Sequence, residues 1–331
     1  MDDNKKNAYT RVIATGSALP AKSVSNDALA ARLAEIGVQT SDEWISSRTG
    51  IRSRYLAEPG LTVLELASRA SQKAFQNAGI DPASIDLIIV ATTTADAVFP
   101  STACALQAAL GIKGCAAFDV QAVCSGFVYA MSVADGLIRT GGYRRALVVG
   151  SEIFSRIVDW TDRTTCVLFG DGAGAIVLEA SDAPGILAHR MHADGSFGTD
   201  TLSLAARIEQ GAVVGHPFVR MNGRQVFRLA VDSLTRSAQE VCAMAGLKPS
   251  DVDVWVPHQA NVRIIEMISR KLEFAEERTV ITVDHHGNTS AASVPLALDE
   301  AVRSGRIGAG DTVLLQGVGA GMTWGSVLLK W

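Results

Sequence analysis

Apolar residues gather in short continuous runs at 86–91, 146–149, 175–178, 252–256 and 312–315. Each run predicts a strand buried on both faces, because a strand with one wet face alternates apolar and polar positions. Between the runs, apolar residues recur with the period of a helix, over about 62–78, 125–140, 224–245, 259–272 and 291–304. That period predicts helices that bury one stripe. Strands and helices alternate, which is the pattern of an α/β fold with helices on both faces of its sheets.

The pattern is written twice. Ala78-Gly-Ile-Asp-Pro-Ala-Ser-Ile-Asp-Leu-Ile-Ile-Val-Ala91 is similar to Ala245-Gly-Leu-Lys-Pro-Ser-Asp-Val-Asp-Val-Trp-Val-Pro-His258, at an offset of 245 − 78 = 167. Leu137-Ile-Arg-Thr-Gly141 matches Ala301-Val-Arg-Ser-Gly305, at 303 − 139 = 164. Arg145-Ala-Leu-Val-Val-Gly150 matches Asp311-Thr-Val-Leu-Leu-Gln316, at 311 − 145 = 166. Order is kept and spacing nearly so, which predicts a duplicated α/β unit. The boundary falls near 180–215, giving halves 1–180 and 181–331. An offset of 164 carries Cys124 to Asn288, and one of 167 carries Ala91 to His258. Cys124 and Asn288 are then expected to open equivalent helices, with His258 closing a strand equivalent to 86–91. Two such halves packed about a pseudo-twofold axis bring equivalent helix starts to one pocket.

The bulk numbers narrow the setting. A chain of 331 residues that is 48% hydrophobic and 19% charged can bury a large core, which argues against disorder. A net charge of −4 gives no global field for nucleic acid. No apolar run approaches the ~18–20 residues of a membrane span, and the first residues lack the apolar stretch of a signal peptide. The expected place is the cytoplasm, where thiols stay reduced. The cysteines are Cys104, Cys115, Cys124, Cys166 and Cys242, with no Cys-x-x-Cys among them. Neither a metal site nor a redox pair is signalled, and most read as small buried hydrophobes.

One cysteine differs. Cys124 stands where a strand ends and a helix is expected from about Ser125, with Phe127, Ala130, Met131, Ala134 and Ile138 at helical spacing. Free N–H groups and the helix dipole at that end favour a thiolate, which predicts a lowered pKa and a nucleophile. A buried thiol in a tight turn is the competing reading. His258 follows an apolar strand, where a surface or capping role is the commoner one. Asn288 enters a helix from a loop and taken alone is an N-cap. Taken together, cysteine, histidine and asparagine supply a nucleophile, a proton-handling group and an amide donor for an oxyanion. Gly317-Val-Gly-Ala-Gly321 is not a dinucleotide fingerprint, because 324–330 reads as a strand and the fingerprint requires a helix there. Gly170-Asp-Gly-Ala-Gly174 likewise leads into a strand. Both glycine runs are expected to let the backbone approach a pocket or to make a bulge.

With these motifs the sequence resembles the β-ketoacyl-acyl-carrier-protein synthase III family, which starts bacterial fatty acid synthesis. The stretches are Val120-Gln-Ala-Val-Cys-Ser-Gly126, Phe169-Gly-Asp-Gly-Ala-Gly174, Val256-Pro-His-Gln-Ala-Asn261, Gly287-Asn-Thr-Ser-Ala-Ala-Ser-Val-Pro295 and Thr323-Trp-Gly-Ser326. Ser41-Asp-Glu-Trp-Ile45 and Arg48-Thr-Gly-Ile51 add to them near the N-terminus. The resemblance spans nearly the whole chain. It implies a thiolase-like fold of two duplicated α/β halves in helix–sheet–helix–sheet–helix layers, usually as a homodimer. It also implies a decarboxylative Claisen condensation, with no cofactor and no metal. An acyl group, often acetyl, moves from coenzyme A to Cys124. Malonyl-acyl carrier protein then loses carbon dioxide, and the resulting carbanion attacks the acyl-cysteine.

The same resemblance implies roles for further positions. His258 and Asn288 hold the malonyl thioester oxygen. A second oxyanion hole uses the backbone N–H of Cys124 and one near Ala320. Trp44 stacks on the adenine of coenzyme A, Arg48 and Arg163 are its partners, and Asn261 with Phe227 lines the pantetheine tunnel. Phe99 closes the acyl pocket of the neighbouring subunit. Arg228, Arg263, Arg270 and Lys271 make a basic rim for an acidic carrier protein, or else a solvated helix face. Val318 and Met322 stand where the family often has aromatic residues, which bears on pocket shape and on the primer. Acetyl is the expected primer for a housekeeping enzyme. The alternatives are a condensing enzyme with another starter group in specialised metabolism and a non-catalytic acyl-binding or carrier-docking protein.

Overall fold

The computed structural model describes residues 9–204 and 206–331. Its first half runs β1 (Tyr9–Ala18), α1 (Asn26–Glu35), α2 (Asp42–Thr49), α3 (Val63–Ala78), β2 (Leu87–Ala91), α4 (Thr102–Ala109), β3 (Ala116–Val120), α5 (Gly126–Arg139), β4 (Arg145–Ile153) and β5 (Asp171–Ser181). The second half runs β6 (Ile186–Ala193), α6 (Gly223–Met244), β7 (Val254–Pro257), α7 (Val262–Leu272), α8 (Ser293–Arg303), β8 (Thr312–Gly319) and β9 (Thr323–Lys330). All five apolar runs and all five helical stretches expected from the pattern are present within a few residues. The ends are set by ordinary devices. Thr62 caps α3 by accepting the Glu65 amide at 3.0 Å, and Gly79 closes that helix at φ 63.

Two sheets repeat one topology. The five-stranded sheet has the order β1-β5-β4-β2-β3, and the four-stranded sheet has β6-β9-β8-β7. In each, a parallel pair (β2 with β4, β7 with β8) is followed by two antiparallel neighbours. Where β3 would recur in the second sheet, a lone parallel bridge joins Thr279 to Trp255. Helix α3 covers the outer face of the first sheet, α6 covers that of the second, and α5 and α8 fill the layer between the sheets. The cores follow these layers. Along β2, Ile88 and Val90 face the α3 layer, whereas Leu87, Ile89 and Ala91 face the central one. Both faces are dry, as the continuous run required.

The register refines the expected offsets. Helices α5 and α8 start at 126 and 293, strands β4 and β8 at 145 and 312, and both differences are 167. At that offset the counterpart of Cys124 is Ala291, not Asn288. The 164-residue spacing taken near the helix ends reflects the shorter α8, 11 residues against 14 in α5, so it misplaced the helix starts by three residues (167 − 164). Each helix is preceded by a 3₁₀ turn, Val123–Ser125 and Ser290–Ala292. The first residue of each turn has a left-handed backbone, Val123 at φ 47 and Ser290 at φ 51. This region is strained for any side chain, and more so for a β-branched one.

Glycines let each turn dock on the opposite half. A Cβ on Gly150 of β4 would lie 2.3 Å from the carbonyl oxygen of Ala291. One on Gly317 of β8, its counterpart at 167, would lie 2.9 Å from the Ser125 Cα. Gly150 and Gly317 are therefore the seats of the two turns; Gly317 belongs to the 317–321 run, and in the other run Gly174 lies under the start of α8, where a Cβ would sit 2.7 Å from Pro295.

Candidate active site

Cys124 is buried in the turn between β3 and α5. The turn is clamped by Ser125, whose hydroxyl lies 2.7 Å from the Ala122 carbonyl and 2.8 Å from the Thr323 hydroxyl. The helix itself starts at Gly126, after the cysteine. Burial pushes the thiol up to about 12, against the lowered pKa expected from the helix end, with the hydrogen bond to Ser290 pulling the other way. Desolvation of a fully enclosed sulfur outweighs the dipole here. The thiol is therefore protonated at neutral pH, and its proton must leave as sulfur attacks.

His258 follows β7 directly and is buried. Its amide donates to the Gln316 carbonyl at 2.8 Å, and its Nδ1 lies 2.6 Å from the Ser293 hydroxyl at the start of α8. Burial lowers its pKa to about 3, so the ring is neutral. Asn288 is fixed through its backbone. Its N–H donates to the Leu168 carbonyl at 2.8 Å, and its own carbonyl accepts from the Gly170 amide at 3.0 Å. Its Oδ1 accepts the Ser290 amide at 2.9 Å, which leaves Nδ2 for the cavity. The Asn288 side chain thus holds the amide that begins the Ser290–Ala292 turn, whose N-cap position is Thr289, and presents a donor as well. It does not cap α8, which has no side-chain cap.

Cys124, His258 and Asn288 line one cavity of about 710 Å³, open mouth included, together with Phe227, Asn261 and Val318. Gly319 is also in the lining, and a Cβ there would sit 2.8 Å from the Cys124 amide nitrogen. Its missing side chain keeps the space in front of that N–H clear. Ala320 lies outside the lining, and its carbonyl accepts from the Thr323 hydroxyl at 3.1 Å. Met322 lines the cavity too. A larger surface groove beside Leu29, Leu61 and Trp160 has no cysteine or histidine in its walls.

Trp44, Arg48 and Arg163 form a separate cluster beyond the lining. The Arg163 guanidinium carbon lies 4.2 Å from the Trp44 ring centre and that of Arg48 lies 4.7 Å away, contacts of the cation–π kind. Asn261 connects this cluster to the cavity by donating from Nδ2 to the Arg48 carbonyl at 3.2 Å while capping α7. Arg228, Arg263, Arg270 and Lys271 are exposed on α6 and α7. Two of them are engaged: Arg263 donates to the Ser47 carbonyl at 2.7 Å, and Lys271 pairs with Asp232 at 3.0 Å. Phe99 is 84% exposed and does not reach this chain's cavity. The remaining cysteines are free. Cys166 and Cys242 are buried, Cys115 is half-buried, and Cys104 is exposed, contrary to the expected burial.

Ser290, Ser293 and Glu152 were not singled out from the sequence. Ser290 and Ser293 lie within Asn288-Thr-Ser-Ala-Ala-Ser293, and the one signal for Glu152 is a carboxylate ending an otherwise apolar strand. Among the described residues, the group spaced to hold a cation is His285, His286 and Glu300. However, His285 spends its ring nitrogens on Asp284 at 2.8 Å and Glu300 at 2.9 Å. These carboxylates raise its pKa to about 10, so it is a cation itself. The cluster reads as an ion-pair network.

The layered, duplicated architecture and the cysteine at its centre define a thiolase-like enzyme. Residues 118–195 match the family described as 3-oxoacyl-[acyl-carrier-protein (ACP)] synthase III, and residues 242–331 match its C-terminal region. The chain is 60% identical to the β-ketoacyl-[acyl-carrier-protein] synthase III of Bordetella petrii, over 97% of this chain and 98% of that one. It therefore belongs to the β-ketoacyl-acyl-carrier-protein synthase III family of condensing acyltransferases. Solved structures agree. The synthase III of Pseudomonas aeruginosa is 41% identical with a TM-score of 0.90, covering 98% of each chain. That of Aquifex aeolicus is 44% identical with a TM-score of 0.88, covering 97% of this chain and all of that one. A priming β-ketosynthase from a polyketide pathway is 39% identical with a TM-score of 0.91, covering 98% of this chain and 97% of that one.

Proposed function

We propose that the chain condenses an acyl-coenzyme A, with acetyl as primer, with malonyl-acyl carrier protein, through an acyl-cysteine at Cys124. The convergence of Cys124, His258 and Asn288 on one cavity, beside an unobstructed Cys124 amide, carries the reading. In the first step the Cys124 sulfur attacks the acyl thioester. Negative charge gathers on the carbonyl oxygen in front of the Cys124 N–H, a preorganised donor. In the second step the malonyl thioester oxygen sits between His258 and Asn288. We assign the Ser293 O–H as donor to Nδ1 of His258, which puts the ring proton on Nε2, facing the cavity. A neutral histidine and an asparagine amide then stabilise the enolate as carbon dioxide leaves, and neither needs to carry charge.

Trp44, Arg48 and Arg163 are assigned to the nucleotide end of coenzyme A, with Asn261 and Phe227 along its arm and Val318 with Met322 shaping the acyl end. Arginine suits the phosphates, and the tryptophan face suits a base. The exposed Val98 and Phe99, 89% and 84% accessible, support a homodimer in which Phe99 enters the neighbouring cavity. Arg228 and Arg270, exposed and without an ion pair among the described residues, support docking of an acidic carrier. We place the division of the halves after residue 180, at the last residues of β5 and before β6 begins at Ile186. Among the described residues no helix is long and apolar enough to cross a membrane, and the free cysteines fit a reducing cytoplasm. The reaction as proposed uses no cofactor and no metal.

A panel of acyl-coenzyme A primers assayed with malonyl-carrier protein tests the reading. Acetyl should lead. A clear preference for a branched or aromatic primer would overturn the housekeeping assignment and point to Val318 and Met322.

A further inference from the structure

Glu152 stands near the end of β4, wholly buried. A carboxylate in such a place is costly unless hydrogen bonds hold it. The Thr93 and Thr94 amides donate to it at 3.2 and 3.1 Å, as does the Thr94 hydroxyl, and the Ala291 amide also favours its charged form. On its other side, the Ser290 hydroxyl donates to Oε1 at 3.1 Å. Even with these donors, burial pushes the carboxyl up to about 7.

Ser290 is also the partner of the nucleophile. The Cys124 thiol donates to the Ser290 oxygen at 3.5 Å, its one side-chain hydrogen bond among the described residues. Thiol, hydroxyl and carboxylate thus form a directed chain, each donating to the next. His258 makes no hydrogen bond to the sulfur; its Nδ1 is held by Ser293. Other titratable groups on the elements packed around β4 are turned elsewhere. Asp171 of β5 accepts from Ser155 and Ala57, and Asp135 of α5 meets His189 and Arg139. Asp299 of α8 accepts from Thr15 and Ser17, and Glu65 of α3 pairs with Arg69 at the surface.

We propose that Glu152, acting through Ser290, takes the Cys124 proton during acyl transfer and returns it when product leaves. As sulfur bonds to the acyl carbon, its proton passes to the Ser290 oxygen, and the Ser290 O–H proton passes to a Glu152 oxygen. The carbonyl electron pair moves onto oxygen, then returns and expels coenzyme A as a thiolate, which takes a proton from water. After the carbon–carbon bond forms, the second tetrahedral intermediate breaks its carbon–sulfur bond. The proton on Glu152 then runs back through Ser290 to the sulfur. Proton transfer and attack coincide, because a free thiolate is unfavourable in this buried site. Ser290 and Glu152 are positioning and proton-holding residues that act through Cys124.

The inference rests on Cys124 being the acylated residue. It is tested by single-turnover acylation of the full chain with acetyl-coenzyme A, followed by the mass of the Cys124 peptide, from about pH 5 to about pH 9. The wild-type rate should rise with pH and level off near neutrality. Ser290→Ala and Glu152→Gln should acylate at least ~10²-fold more slowly at neutral pH, in line with loss of a general base. Their rates should keep climbing with pH, with no levelling near neutrality. Glu152→Asp, which keeps the acid but shortens its reach, should recover part of the rate and the levelling. Should Glu152→Gln not fold, Ser290→Ala decides alone. Wild-type rates in Ser290→Ala, with the same levelling, would overturn the relay. A wild-type enzyme that gains no acyl group at Cys124 would instead remove the functional reading, and the relay with it.

Discussion

Val123 and Ser290 hold the same left-handed backbone, φ 47 and 51, at the heads of two turns 167 residues apart. Each turn opens a helix of the central layer, and each sits on a glycine of the opposite sheet, Gly317 under one and Gly150 under the other. The strand position two residues further on is where they part. Beside the Ser290 turn that position is Glu152, whose carboxylate faces the Ala291 amide. Beside the Cys124 turn it is Gly319 (152 + 167), and the space before the Cys124 amide is open. One half of the molecule therefore fills its amide pocket with an internal anion. The other leaves the equivalent pocket open, and the proposed reaction places there an oxyanion that exists only during the chemistry. On the proposed reading the N-terminal turn is the catalytic one because a side chain is missing opposite it, as much as because a cysteine is present.

Closing that gap should give the largest effect. Gly319→Ala places a methyl 2.8 Å from the Cys124 nitrogen. Acylation, followed by the mass of the Cys124 peptide, should fall at least ~10²–10³-fold, the usual cost of losing an oxyanion donor. Acylation at the wild-type rate would mean that the Cys124 amide is not a donor to the reaction.

The filled pocket should show in the pH dependence of stability. The Glu152 carboxyl is raised from 4.5 to about 7 by burial. A raised carboxyl pKa means that the folded state binds the proton more tightly. Its contribution is complete below 4.5 and is lost as pH rises through about 7. His258, held low by burial, gains stability over the same window in both proteins, so the Glu152 contribution is read as a difference: from about pH 4.5 to 7 wild type should lose roughly 2–4 kcal/mol relative to Glu152→Gln in urea unfolding. Parallel curves for the two would place the ionisation elsewhere.

The seats themselves differ in tightness. A Cβ on Gly150 meets a backbone oxygen at 2.3 Å, and one on Gly317 meets a backbone carbon at 2.9 Å. Gly150→Ala should therefore destabilise by about 1–3 kcal/mol or more through overpacking, and Gly317→Ala by less. The reverse order, measured as urea midpoints, would deny the two turns their equivalent seating.

A control lies outside both turns. Trp44→Ala or Arg163→Ala should raise the KM for acyl-coenzyme A by roughly 2- to 10-fold, the scale of a partly exposed cation–π and stacking contact. Both should leave malonyl-carrier protein nearly unaffected, since its arm has no adenine. Equal losses for both substrates would mean general damage.

Much of this was legible in the chain, for physical reasons. Continuous apolar runs such as Leu87–Ala91 occur where both faces of a strand are dry, and the repeat survives because the two halves bury the same central helices. That Cys124, His258 and Asn288 share one cavity was expected from residue types and positions that chemistry restricts. The exact symmetry was not legible. The central helices differ in length, 14 residues in α5 and 11 in α8, so an offset read at their ends is not the one at their starts, and Asn288 was matched to Cys124 in place of Ala291. Glu152 was also out of reach. It faces a turn 138 residues away in the chain, and nothing beside it in sequence tells a buried carboxylate from a solvated strand end. The thiol pKa was read from a helix end without its burial, and burial reversed the sign.

The division of labour between the turns is tested most directly by carbon dioxide release from malonyl-carrier protein, measured with radiolabel for Cys124→Ala, His258→Ala and Asn288→Ala. Cys124→Ala carries at that position the residue the other turn already has, so the turn should hold. It should form no acyl-enzyme yet still release carbon dioxide. His258→Ala and Asn288→Ala should lose that release by ~10²–10³-fold, while Asn288→Ala keeps much of its acylation. Normal decarboxylation by Asn288→Ala would contradict the account and return Asn288 to the role of a turn cap.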